Sequence, residues 1–209
     1  MNHPVVFDVE TQFAFSEVGH DPKKLKISVV GVFDYTTGEY QAFKEKELSK
    51  LFKIFEHASF LIGYNINKFD LPVLSSYYVG DIFQFHTLDL MDEVQSVLGY
   101  RVALDDLARS TLNTKKSGHG LLAIEYFRNN EWDKLINYCL DDVRITKGLY
   151  EYGKKNKRIY IQTSKGEREI PLVGAQRVVE PHQVIGLAAD RKRRRRRRVN
   201  SAQLGWSLQ

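Results

Sequence analysis

The sequence predicts an α/β domain with a mixed central sheet flanked by helices. Three observations carry this reading. Short β-branched and aromatic runs punctuate the first 90 residues, helical periodicity alternates with them and then dominates, and 209 residues at 43% hydrophobic suffice to bury one core. Residues 5–10 (VVFDVE) form the first strand candidate. Residues 26–33 and 39–43 follow, with the turn-forming Thr36, Thr37 and Gly38 ahead of the second run, so a hairpin is expected. Residues 45–56 place Leu48, Leu51, Phe52 and Phe55 at helical spacing, and residues 59–63 return to an apolar strand. Asp70 with Pro72 resembles a cap followed by a first-turn proline, which predicts a helix start. Residues 85–90 are a further strand candidate. Helices are expected over 104–112, 121–128 and 131 to about 154, and a hairpin over 158–171 around Ser164, Lys165 and Gly166.

The formal net charge is +5, from 31 Lys+Arg against 26 Asp+Glu. Residues 191–198 alone hold eight of the cations, so the remainder carries 23 against 26 and stands at −3. The basic balance therefore belongs to one short run. Cys139 is the single cysteine, which excludes an internal disulfide or a cysteine-based zinc site. Residues 1–20 contain Asp8, Glu10 and Glu17 and lack a basic start followed by an apolar block. No apolar run approaches the ~20 residues of a membrane span. The expectation is a cytoplasmic chain without a membrane segment.

Acids in three places suggest chemistry. Asp8 and Glu10 sit two apart on a strand, so both side chains leave one face while Phe7 and Val9 take the other. Such a pair repels itself unless a cation lies between, which suits a hard divalent ion; two solvated acids at a strand end are the alternative. Asp70 follows a loop, residues 63–69, that leaves an apolar strand, and it either serves a ligand there or only caps the helix. In the last helix Leu135, Cys139, Asp142, Thr146 and Leu149 recur at steps of four and three, which puts Asp142 in the inward stripe and Asp141 outside it. A carboxylate in an apolar stripe is costly unless paired, hydrogen-bonded or bound to metal. Tyr138 lies one turn before Asp142.

In this order, F-D-V-E-T (Phe7 to Thr11), N-x-x-x-F-D (Asn65 to Asp70) and Y-x-x-x-D (Tyr138 to Asp142) resemble the three motifs of the DEDD (DnaQ-like) 3'-5' exonuclease superfamily, tyrosine subclass. Residues 104–152 look most like its YprB-type ribonuclease-H-like branch. The resemblance covers roughly residues 4 to 155. It implies a ribonuclease-H-like fold and a metal-dependent 3'-5' exonuclease acting on DNA or RNA, with two Mg²⁺ or Mn²⁺ ions per site. Asp8, Glu10, Asp70 and Asp142 would be the metal ligands, Asp8 bridging, Glu10 and Asp142 completing one site and Asp70 the other. Tyr138 would orient the attacking water as a fifth catalytic residue. Thr11, Asn65 and Phe69 would shape the substrate end. The implied partner is nucleic acid with a free 3' end, single-stranded, with a helicase or polymerase as a candidate companion.

The domain expectation is a ribonuclease-H-like domain over 1–157, an appended hairpin over 158–172 and a tail over 173–209 that includes the arginine run. That run would attract nucleic acid without sequence preference and in a salt-dependent way. Lys115, Lys116 and the loop 117–120 could approach phosphates, or simply link helices; His119 does not fit the histidine-subclass spacing. A dehalogenase-like phosphatase also uses acids on a first strand, but it needs D-x-D where Glu10 stands here. The remaining rival is a nucleic-acid-binding platform that keeps the nuclease fold without significant hydrolysis.

Overall fold

In the computed structural model, which describes residues 3–114, 121–172 and 174, the expected hairpin and alternation are present. Strands β1 (Val5–Thr11), β2 (Ile27–Asp34), β3 (Glu39–Lys44), β4 (Leu61–Gly63) and β5 (Thr87–Asp89) form one sheet in the order β3-β2-β1-β4-β5. The three left-hand strands are antiparallel, whereas β4 and β5 run parallel to β1. All eight residues of β2 are buried, because helices cover both faces of the sheet there.

Alternation along β1 sets the two layers. Val5, Phe7 and Val9 enter a core shared with Leu51, Phe52 and Phe55 of α1 (Leu48–His57). Val6 enters the opposite core, shared with Val143, Leu149 and Tyr150 of α6 (Trp132–Asn156). Asp8 and Glu10 therefore share the α6 side of the sheet, as their spacing predicts.

Helix α2 (Asp70–Leu74) starts where expected, but Asp70 does not cap it: Phe69 precedes the helix and no side chain caps the turn. Helix α3 (Leu90–Leu98) is an addition to the elements the sequence predicts. The predicted strand over 85–90 stops at Asp89, whose carboxylate accepts from the Met91 amide and starts the helix. Helices α4 (Leu104–Leu112) and α5 (Leu121–Arg128) match the periodicity. Strands β6 (Arg158–Thr163) and β7 (Gly166–Pro171) form the C-terminal hairpin. Its Ile159, Ile161 and Ile170, with Leu172, complete the α6-side core. Side-chain hydroxyls of α4 satisfy the free edge of β6: Thr111 Oγ1 accepts from the Tyr160 amide and Ser110 Oγ from that of Gln162, each at 2.9 Å.

The loop 115–120 with His119, and the arginine run 191–198, lie outside the described residues. Among the described residues no helix is long and apolar enough to cross a membrane.

Candidate active site

Strand β1 outruns its parallel neighbour. It pairs with β4 only at Val5 and Val6, so the amides beyond lose that partner strand. Asp70 fills one of the vacated positions: its Oδ1 accepts from the Val9 amide at 2.9 Å. The loop that brings Asp70 back depends on Gly63, where an added Cβ would lie 2.1 Å from Ile66 Cγ2 and 3.0 Å from the Phe7 carbonyl oxygen. Asn65 then turns the chain with φ +68°, a conformation Asn adopts more readily than most residues.

Asp89, at the end of β5, holds this turn. Its Oδ1 accepts from the Asn65 amide at 2.7 Å and its Oδ2 from the Asn67 amide at 3.0 Å. The same loop clamps the segment between α3 and α4: Tyr64 donates its hydroxyl to the Val102 carbonyl at 2.6 Å, and Arg101 Nη2 donates to Asn65 Oδ1 at 2.8 Å.

Helix α6 delivers the remaining acid. Gly31 lies opposite Asp8 in the β1–β2 register, and a Cβ there would meet Cys139 Sγ at 3.0 Å and Val143 Cγ2 at 3.1 Å. The helix therefore packs directly on the strand. The predicted stripe is buried throughout: Leu135, Cys139, Asp142, Thr146 and Leu149 all face inward. Asp141 lies outside it and pairs with Arg144 at 2.5 Å.

These elements converge on a cleft of about 300 Å³ lined by Asp8, Glu10, Asp70 and Asp142, with Thr11, Asn65 and Phe69. All four predicted carboxylates and all three predicted substrate residues thus meet in one place. Tyr138 is buried beside it in a cluster with Val29, Ala123, Leu135 and Cys139, and is not among the lining residues. Residues without a sequence signal also line the cleft. Phe15 packs edge-on against Phe69 with centroids 5.4 Å apart, and Leu121 and Ile124 come from α5. Glu17 ties the segment after β1 to α5: it accepts from the Ala14 amide at 2.7 Å and pairs with Arg128 at 2.5 Å.

Electrostatics fit a cation. Burial, reinforced by the charges of Asp89 and Asp142, pushes Asp70 up to about 8, although hydrogen bonds from its own backbone and Val9 oppose the shift. With no cation nearby the carboxyl is therefore mostly protonated at neutral pH, and a divalent cation would favour its ionised form. Burial also raises Asp89 above the usual carboxylate range. The Cys139 thiol is held well above its ordinary value, first by burial and then by the charges of Asp8 and Glu10. Asp8, Glu10 and Cys139 offer ligand atoms within 4.8 Å of one another. Four carboxylates around one cleft are the oxygen donor set that Mg²⁺ and Mn²⁺ prefer, so the residues present fit such ions.

Residues 5–153 match the family model of the RNase H superfamily. The chain belongs to that superfamily. Its ribonuclease-H-like fold, a mixed five-stranded sheet between helices, is the one the motifs implied. The superfamily fold recurs in the family B DNA polymerase of the hyperthermophilic archaeon Pyrobaculum calidifontis, at 21% identity and a TM-score of 0.58, over 72% of this chain and 24% of that one. It recurs in Trypanosoma brucei RNase D, at 15% identity and a TM-score of 0.54, over 72% of this chain and 57% of that one. A more distant likeness is to E. coli Exonuclease I in complex with a 5cy-dT13 oligonucleotide, at 13% identity and a TM-score of 0.42, over 75% of this chain and 41% of that one. This superfamily member thus spans between a quarter and just over half the length of these proteins. No curated protein matches its sequence.

Proposed function

We propose that the chain is a divalent-metal-dependent 3'-5' exonuclease of the DEDD group, tyrosine subclass, most like the YprB-type branch. The observation that carries this is the convergence of Asp8, Glu10, Asp70 and Asp142, from three separate segments, on one cleft of an RNase H superfamily chain. The names of the proteins sharing its fold, a DNA polymerase and an RNase D, agree with a nucleic-acid substrate.

Asp8, Glu10, Asp70 and Asp142 would hold divalent ions, Mg²⁺ or Mn²⁺, which would supply water acidification and neutralise charge on a phosphodiester. Thr11, Asn65 and Phe69 line the same cleft and would hold the terminal nucleotide, with Arg101 donating to the Asn65 side-chain oxygen. The substrate of this reading is a single-stranded 3' end. Tyr138, buried beside the acids, acts on the orientation of water or of the helix. A phenol near pKa ~10 is a weak base at neutral pH, so Tyr138 would not by itself deprotonate the water.

The nuclease domain is assigned to residues 1–157 with the hairpin appended over 158–172. A cytoplasmic location and a helicase or polymerase companion belong to the same reading. The deciding experiment incubates 3'-labelled and 5'-labelled DNA and RNA oligomers, single- and double-stranded, with Mg²⁺, Mn²⁺ or EDTA. Metal-dependent shortening from the 3' end of single strands is expected. Binding with unchanged strand length would establish the rival platform instead.

A further inference from the structure

The cleft is rich in acids, and among the described residues none of those lining it is a lysine or arginine. A nucleic-acid strand brings one negative charge with every linkage. The carboxylates, with the ions they would hold, answer the linkage at the terminal nucleotide alone, so the next phosphate needs a cation of the chain itself at the rim. Lys68 and Arg128 belong to segments that border the cleft, but each is paired with an acid: Lys68 with Asp92 at 3.1 Å and Arg128 with Glu17 at 2.5 Å.

Arg101 is placed differently. It is exposed, its Nη2 donates to Asn65 Oδ1 at 2.8 Å, and among the described residues it bonds this neutral amide in place of an acid. Asp92 feels its charge but is itself bonded to Lys68 and Asn67. The backbone is held as well, since Val102 is buried and its carbonyl accepts from the Tyr64 hydroxyl at 2.6 Å. Tyr64 and Asn65 both line the cleft, so the guanidinium is fixed from two sides at its edge.

A guanidinium carries five N–H donors in a planar fork. One is used on Asn65, and the others remain for a ligand. Because Asn65 lines the cleft and Arg101 does not, the phosphate within its reach is the one outside the terminal linkage. We propose that Arg101 binds the backbone phosphate one linkage inward from the terminal nucleotide and so sets the register in which a 3' end enters the cleft. A phosphate accepts two parallel N–H bonds from such a fork, a geometry lysine does not reproduce. The contact touches no base, so it carries no sequence preference. The inference rests on the proposed function for the identity of the strand, but its test reads binding and needs no hydrolysis.

The probe is 5'-fluorescein-labelled trithymidylate, whose two linkages are replaced one at a time by uncharged methylphosphonate. Anisotropy with the full chain in Ca²⁺ and about 0.15 M salt, where distant surface charges are screened, gives the affinities, and a gel counts the strand left intact. Arg101→Gln should lower the affinity for the unmodified probe about tenfold, Arg101→Lys less, and the salt slope should fall by about 0.7 in Arg101→Gln. Methylphosphonate at the inner linkage should cost the native chain a similar amount, and the variant and the modification together should cost no more than either alone. Additive losses, coupling to the terminal linkage in place of the inner one, an affinity unchanged in Arg101→Gln, or no binding by the native chain would each overturn the proposal. Because Arg101 is exposed, its variants should keep the fold, which circular dichroism checks. Coupling to the inner linkage in a chain that cleaves nothing rejects only the nuclease reading, and cleavage of 3' ends without that coupling rejects only this role of Arg101.

Discussion

The carboxylate of Asp70 occupies the place of a missing strand, accepting the Val9 amide hydrogen at 2.9 Å where β4 has already ended. One oxygen of a candidate metal ligand is thereby spent on the sheet, and the group is buried.

Asp70→Asn keeps an acceptor for Val9 and removes the buried charge. Asp70 has its pKa raised to about 8 in the fold, so the stability it contributes is fully present below its unfolded value near ~4 and is lost as pH rises through 8. In EDTA, the native chain should lose roughly 3 kcal/mol relative to Asp70→Asn between pH 5 and pH 8. Denaturant unfolding at the two pH values measures this. Mg²⁺ or Mn²⁺ should restore the native chain far more than the variant, which should not hydrolyse strands. Equal pH dependence of the two proteins would remove Asp70 as the buried titrating group.

Asp8→Ala should abolish metal-dependent release of nucleotides from a 3' end while leaving the circular dichroism of the fold intact. Tyr138→Phe should slow the reaction and leave measurable turnover, since the tyrosine lies outside the cleft lining. Full activity in Asp8→Ala would refute the site assignment.

Asp89 accepts three backbone amides, from Asn65, Asn67 and Met91. Asp89→Ala should cost about 2–4 kcal/mol, combining lost hydrogen bonds and a lost helix cap. Asp89→Asn, which keeps one acceptor oxygen, should fall between. Urea titrations would show the order, and an alanine variant within experimental error of native would contradict it.

Gly63→Ala forces a methyl against Ile66 and the Phe7 carbonyl oxygen. The backbone oxygen cannot rotate away, so a loss of about 1–3 kcal/mol is expected, at the scale of overpacking in a core. The thermal midpoint should fall accordingly; an unchanged midpoint would mean the loop can open without cost.

Arg101→Ala frees the Asn65 side chain without touching a buried group, since Arg101 is exposed. The expected signature is a raised KM for oligonucleotide with unfolding unchanged. A stability loss in place of a kinetic one would make Arg101 structural.

Much of this arrangement was legible in sequence because it depends on periodicity. The period-2 alternation of residues 5–10 placed Asp8 and Glu10 on one face, and the stripe through Cys139 and Asp142 placed the third acid inside. For Asp70 the spacing leaves a ligand and a helix cap equally open, because it does not reveal that β1 outruns β4 and leaves an amide for the carboxylate. Asp89 was missed with α3: with the strand carried on to residue 90, its role as the helix cap could not be seen. Phe15, Arg101 and Arg128 act through contacts distant in sequence, for which a single chain carries no local signal.

The hairpin after α6 sets a practical boundary. The family match stops at residue 153, yet an added Cβ at Gly153 would lie 2.3 Å from Leu172 Cδ2, and Ile159, Ile161 and Ile170 share the same core. A chain cut at the family's edge would bare that apolar surface on α4 and α6 and tend to aggregate. A fragment meant to stay folded should therefore run through residue 172, because the hairpin seals the α6-side core.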